Sequence, residues 1–359
     1  MPCGLFFSSY QKDDAVFQTA WLKAWMTLLF VFLLSFPLYA DQANAFLGLN
    51  LTNMLNLIFI YVVGAHGLNL LTGYTGQISL GHGAFMGVGA YTAGILANLG
   101  WPFYLALPAA GLMAAAVGMV FGTPSLRLRG LYLAIATMAA QFILDYAMRN
   151  WEGLTGGSAG LIVPSASLEI EPLGWIFIFD TDRSFYYLAL AFAVLATLYL
   201  KNLARTRTGR AFVAVRDRYL AAEVIGVNLF KYRIMSFGIS SFMVGIAGGL
   251  WAFYITIISD EHFTMWLSVQ YLAMIIVGGL GHVLGGIFGA IFFVVLPELL
   301  RIPAEALTNI YPNIFGIFAS LREMVFGLIV ILFLVFEPDG LAARWHTVRS
   351  YWKLWPFSY

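Results

Sequence analysis

The chain has 359 residues, of which 61% are hydrophobic, 16% aromatic and only 10% charged, with a mean hydropathy of +0.83. A formal net charge of +1 gives no general affinity for nucleic acid, and the single cysteine, Cys3, excludes an intramolecular disulfide. Apolar runs of about 20 residues recur along the chain, the length that crosses ~30 Å of hydrocarbon as helix, so two soluble domains are excluded in favour of a polytopic membrane protein.

Alternating segments of the kind that build a membrane β-barrel do not occur, and the pattern predicts an all-α fold. Asp13 and Asp14 precede the first apolar run and no small-residue cleavage site follows it, so the first span is expected to stay in the mature protein. That span covers 21–39 and closes on Pro37 and Asp41 to Asn44. The second, 51–71, carries Asn53, Asn56, His66 and Asn69 at helical spacing, a polar stripe that should face other helices and not lipid.

The third segment, 78–98, follows the glycine-dense run Gly73-Tyr-Thr-Gly76-Gln77-Ile-Ser79-Leu-Gly81-His82-Gly83. Glycine costs a helix about 1 kcal/mol relative to alanine in water, yet in a membrane it permits close helix approach or a helix break beside a polar cavity. Two readings therefore stand. Gln77, Ser79 and His82 are buried hydrogen-bonding groups in tight packing, or Gly76, Gln77, Ser79 and His82 line a substrate path. Neither dinucleotide nor P-loop spacing is present, so the chain carries no ATPase of that type.

Spans four and five, 102–122 and 130–150, are separated by a turn with Arg127 and Arg129. The loop 151–183 is acidic, with Glu152, Glu169, Glu171, Asp180 and Asp182 against Arg183. A sixth span, 184–200, leads into the basic stretch 201–233, which holds eight of the nineteen Lys and Arg residues. Further spans follow at 234–258, 266–280, 284–300 and about 317–337. Arginine and lysine in the 127–129 turn, in 201–233 and in the tail (Arg344, Arg349, Lys353) fall on one side of a ten-span chain. The acidic loop and Asp260-Glu261 fall on the other, which places both termini in the cytoplasm. Eight full spans, with 78–98 and 266–286 broken or re-entrant, keep the same sidedness.

A second glycine-rich break, Gly278-Gly-Leu-Gly281-His282, repeats Leu-Gly-His at an offset of 200, and Gly278 and Gly281 are further candidates for the path. His66, His82 and His282 stand singly in apolar segments, so no metal site is expected. Asp145 and Glu323 lie near span ends where Arg149 and Arg322 could partner them. Within 201–233, Ala211, Val215, Leu220 and Ala221 alternate with Arg210, Arg216, Asp217 and Arg218, the pattern of a short amphipathic helix ending at Gly226. The acids Asp217 and Glu223 and the small residues at 211, 214, 221 and 222 suit a protein partner better than lipid alone.

The run Gly209-Arg210-Ala211-x4-Arg216-Asp217-x3-Ala221-Ala222-Glu223-x2-Gly226 resembles the cytoplasmic loop of branched-chain amino-acid ABC transporter permeases. Gly73 to Phe85, Thr155-Gly-Gly157 with Gly160-Leu161, Gly278 to Gly281 and Pro338-Asp339-Gly340-Leu341 resemble the same family, in its order, over about 50–341. The pattern is most similar to the larger permease subunits of high-affinity leucine, isoleucine and valine systems, with urea and short-amide permeases as relatives. It departs at Asp339, where the family commonly has a basic residue.

The resemblance implies one transmembrane permease domain over 1–359: an N-terminal segment and first span at 1–50, a family-like core at 51–341, and a cytoplasmic tail at 342–359. It implies about 8–10 transmembrane helices with Gly-rich broken segments, in a bacterial inner membrane. The chain itself would bind no cofactor. Its implied partners are a second permease, two ATP-binding subunits that use ATP, and a periplasmic binding protein. Residues 209–226 would be the coupling helix seated on an ATP-binding subunit. A self-contained secondary carrier or channel is the alternative of a different class.

Overall fold

The computed structural model describes residues 20–126, 128, 130–170, 175–310, 315–337 and 339–354. Helix dominates, because backbone polar groups in lipid have to be paired within their own segment. Contacts group the chain into two compact units, one drawn from Met1–Asn53 and Trp345–Tyr359, the other Met54–Arg344. In the first, helix α1 (Ala20–Leu47) contains Pro37 and is apolar on nearly all sides, as a lipid-bathed helix should be.

The larger unit holds the functional architecture. Helix α2 (Leu51–Leu68) continues as a π-helical turn, Asn69–Tyr74, and stops. After an extended break, α3 (His82–Asn98) starts; α4 (Phe103–Gly122) and α5 (Leu131–Asn150) follow. A single helical turn, Glu152–Thr155, leads to strands β1 (Leu161–Ile162), β2 (Ala166–Ile170) and β3 (Trp175–Phe179). Then come α6 (Asp182–Arg205), α7 (Arg207–Val224) and α8 (Leu229–Ile255). Strand β4 (Ile257–Ile258) precedes α9 (Met265–Gly278), α10 (Val283–Ile310), α11 (Phe315–Phe336) and α12 (Gly340–Leu354). The strands make two small antiparallel pairs, β1 with β4 and β2 with β3.

By length and composition, seven described helices can cross a membrane, or eight if the bent pair Met324–Phe336 and Gly340–Tyr351 counts as one span. Helices α3, with 17 residues, and α9, with 14, fall short, so the two segments expected to be broken or re-entrant are the short ones. Helices α3, α4 and α8 form the centre. Between lipid-solvated helices there is no hydrophobic driving force, and association relies on close van der Waals contact. Gly89 of α3 meets Gly245 of α8 so tightly that an added Cβ would lie 2.5 Å from the Gly245 Cα.

Contacts distant in sequence sort the loops onto two faces. On one, β1 pairs with β4, the Asn56 amide donates to Asp182 O at 2.9 Å and the Tyr254 hydroxyl donates to the Asp182 carboxylate at 3.0 Å. Arg149 on this face pairs with Asp260 at 2.6 Å; it does not pair with Asp145, the partner its four-residue spacing suggests. Asp260 wins because the chain beyond β4 folds back over the end of α5. Toward the opposite face lie α7, the parts of the two glycine-rich breaks around Gly73 and Gly281, and the turn before α12. Among the described residues, the acidic side of the chain around Asp182 and Asp260 thus shares one face and the basic stretch around α7 lies on the other. Arg127, Arg129, Cys3, Glu171 and Pro338 lie outside the described residues, as do the side chains of Glu169, Arg322 and Glu323.

Candidate functional site

The site is built where the two glycine-rich breaks meet beneath α7. The Asn69 amide, on the π-helical turn, bridges them: Nδ2 donates to His282 O at 2.8 Å and Oδ1 accepts from Gly281 N at 2.8 Å. Gly281 takes φ +74, a region open to glycine, and Gly73 lies so close that a Cβ there would stand 2.8 Å from the Gly281 Cα.

Arg216 reaches this junction from α7. Its Nη1 donates to Gly73 O at 2.6 Å and its Nε pairs with Asp217 at 2.8 Å. Its aliphatic stem covers Gly76, where a Cβ would lie 2.9 Å from Cγ, and its Nη1 would lie 3.3 Å from a Cβ on Gly281. One guanidinium therefore bonds the first break and lies beside the second. Arg216 and Asp217 face each other; Arg216 is not wholly outward as a docking contact.

Helix α7 is anchored by its apolar face. Phe212 packs with Leu70 and Leu200 in a buried cluster bordered by Tyr74, Tyr232 and Met235. Gly209, Ala211 and Ala222 are buried within the chain itself, where small residues let α7 pack closely. Gly209 leaves no room for a Cβ, which would lie 2.6 Å from the Ala204 Cα, and Arg210 donates to Arg205 O at 2.9 Å, closing the end of α6.

The exposed face is different from the sequence expectation. Leu220, expected beside Ala211 and Val215, is 63% exposed. Nine residues are two and a half helical turns, so position 220 falls opposite position 211. A non-helical residue, Arg218 (φ −149°, ψ 74°), also kinks the helix there. Val224 and Ile225 are 87% and 77% exposed, with Ala221 and Glu223 exposed beside them. Gly226 closes the helix at φ +91, with Val227 N donating back to Ala222 O at 2.9 Å. The tip is apolar and framed by charge.

The first break is extended, with Gln77 and Ser79 buried and Gly76 and Ile78 exposed, the alternation of a strand-like segment. Gln77 Nε2 donates to Ser236 Oγ at 2.8 Å. Ser240 Oγ donates to Gly67 O at 2.7 Å and so accepts from His82 Nε2 at 2.8 Å, leaving His82 Nδ1 to accept from Ser79 Oγ at 3.0 Å. Leu80 N donates to Thr137 Oγ1 at 2.9 Å, Gly83 N to Ser268 Oγ at 2.7 Å, and Ala84 N to Gln141 Oε1 at 2.8 Å. Side chains of α5 and α9 thus satisfy the free N–H groups at the start of α3, which a broken helix leaves unpaired. Gln77, Ser79 and His82 are bonded into the interior here; Gly278 is in the tight turn between α9 and α10, where its added Cβ would lie 2.8 Å from Gly289 N.

Gln141 stands halfway along the twenty-residue α5, about 15 Å from either end, and its Nε2 donates to Phe263 O at 2.7 Å. The starts of α3 and α9 therefore both lie near the middle of the span. Thr137, Gln141, Ser236, Ser240 and Ser268 were not singled out by sequence reasoning. The available signal was weak: a lone amide in an apolar helix, and two serines four residues apart in another.

Comparison with known proteins accords with this architecture. The chain is 31% identical, over 89% of its length and 74% of the relative's, to the high-affinity branched-chain amino acid transport system permease protein LivM of Escherichia coli. It is 29% identical to the probable branched-chain amino acid transport permease protein LivM of Methanocaldococcus jannaschii over 66% of the chain and 67% of the relative. It is 28% identical to the autoinducer 2 import system permease protein LsrC of Salmonella typhimurium over 69% of the chain and 70% of the relative. No solved structure matches it. The family described as branched-chain amino acid transport system / permease component matches residues 50–334. A multi-pass helical chain with two apposed breaks under an amphipathic loop helix, matched over most of its length, belongs to the branched-chain amino acid transport permease family.

Proposed function

We propose that the chain is the inner-membrane permease subunit of an ATP-driven importer for branched-chain or similarly apolar amino acids. It functions as one transmembrane permease domain, with both termini and the basic face in the cytoplasm. A second permease completes the pathway, a periplasmic binding protein delivers the solute to the acidic face, and two ATP-binding subunits supply ATP hydrolysis. Residues 209–226 contact an ATP-binding subunit through the exposed tip: Leu220, Ala221, Glu223, Val224 and Ile225. Arg210, Arg216 and Asp217 border that contact.

The observation that carries the proposal is the Arg216 bridge. A helix that is water-exposed on one side bonds, on the other, to the meeting point of two membrane breaks. Movement of the tip is thereby passed to the segments best able to change shape, a rigid-body route to alternating access.

The test is co-purification of the ATP-binding subunits with Val224→Glu and Ile225→Glu chains. A buried charge at an apolar contact should strip the subunits from the permease while leaving chain insertion and thermal stability unchanged. Retained binding and normal uptake in both variants refute the docking surface. The LsrC relative, named for an autoinducer 2 import system, supports a second cargo reading; competition of labelled leucine uptake by unlabelled leucine, urea and autoinducer 2 separates them.

A further inference from the structure

Two helices begin near mid-membrane, and their starts are treated differently. The start of α3 is closed by Ser268, Gln141 and Thr137. At the start of α9, the N-cap residue Thr264 makes no side-chain cap. This second start opens on a cavity of about 160 Å³ lined by Glu261, Trp251, Thr264, Trp266, Leu267 and Gln270, among others. A cavity of ~150 Å³ is large enough for a six-carbon molecule. Trp251 is only 9% exposed, yet it lines this cavity and its indole N–H has no partner among the described residues.

The chain enters the cavity from the acidic face, past the Arg149–Asp260 pair, and descends to Phe263, whose carbonyl is held by Gln141. Glu261 and His262 are exposed near the mouth and Leu267 is buried at the wall. Free N–H groups and the dipole at a helix start attract a carboxylate. Glu261 lines the same cavity as Trp251 and Trp266, where the Trp251 ring packs on His262 at 4.7 Å, and its carboxylate attracts an ammonium. Apolar walls accept an aliphatic side chain.

We infer that this cavity is a way-station on the acidic face for a zwitterionic α-amino acid: carboxylate on the first turn of α9, ammonium toward Glu261, side chain against Trp251 and Leu267. The inference rests on the import reading and adds to it a place on this chain and the groups that would hold the solute there. Urea, which has neither charged group, lacks the complement for this lining.

The experiment is ligand-observed saturation-transfer NMR on the full chain in lipid nanodiscs, with L-leucine, leucinamide and 4-methylpentanoate as probes. Leucine should bind, and masking its carboxylate or deleting its ammonium should weaken binding about tenfold. Glu261→Gln should weaken leucine about tenfold and leave 4-methylpentanoate unchanged, because that probe has no ammonium to lose. Trp251→Phe keeps the packing, removes the N–H and should weaken leucine binding less. The proposal is overturned if leucine shows no transfer, if 4-methylpentanoate matches leucine, or if Glu261→Gln changes nothing. Failure of the import reading is distinguishable: there, the wild-type chain would not assemble with an ATP-binding subunit, whatever its leucine binding.

Discussion

Arg216→Ala removes a guanidinium that bonds the first break and lies beside the second. The bond to Gly73 O, at 2.6 Å, is charge-assisted and of a type that contributes about 1.5–3 kcal/mol. The side chain is 38% exposed, so the lower figure applies, and the pair with Asp217, itself 55% exposed, adds little. About 1.5 kcal/mol corresponds to roughly tenfold in a rate or an equilibrium. In proteoliposomes containing the assembled transporter, leucine taken up per ATP hydrolysed should fall about tenfold, while ATP hydrolysis continues. Arg216→Lys should recover only part, because a compact ammonium cannot bond Asp217 and Gly73 together as a planar fork does. Gly281→Ala, which places a methyl 3.2 Å from Gly73 O at a left-handed φ, should disturb the same junction. A wild-type uptake-to-hydrolysis ratio in Arg216→Ala, with assembly intact, refutes a coupling role for the bridge.

Other consequences follow from the packing. Gln141→Leu leaves Ala84 N, Ser268 Oγ and Phe263 O without their partner, and should lower unfolding stability in detergent by about 2–3 kcal/mol; an unchanged melting curve counts against the network. Gly89→Val should prevent α3 from seating on α8, read as loss of folded monomer by size-exclusion chromatography, whereas Gly153→Val, with open space around it, should not. Gly226→Ala meets no neighbour but forces a side chain into φ +91, so it should cost about 1–2 kcal/mol locally and raise amide exchange in Tyr219 to Val227 without altering the rest of the chain.

Much of the fold was legible because its causes are local. Apolar runs of membrane length mark α2, α4, α5, α6, α8 and α10, and glycine density marks the interruptions before α3 and α10. The division of the described loops into two groups could be read from the distribution of arginine and acid along the chain. The amphipathic character of α7 was also readable, but the assignment of Leu220 to its inner face was not sustained. The small residues Ala211 and Ala222 illustrate the same limit. Small size can serve a partner or the chain's own packing, and only the structure shows that these two are buried within the chain.

The sequence by itself determined that this is a helical membrane protein with two glycine-rich breaks, a basic loop helix and the pattern of its permease family. Hydrophobic length, helical period and glycine content act over a few residues, so they can be read without neighbours. Only the tertiary structure decided that the breaks meet, with Asn69 bonded across 212 positions to Gly281, and that Arg216 spans 143 positions to hold them. It also decided that Arg149 takes Asp260, and that one helix start at mid-membrane is sealed while the other opens on a cavity. Such pairings depend on which helix faces bury against one another, and no local pattern encodes a partner that far along the chain.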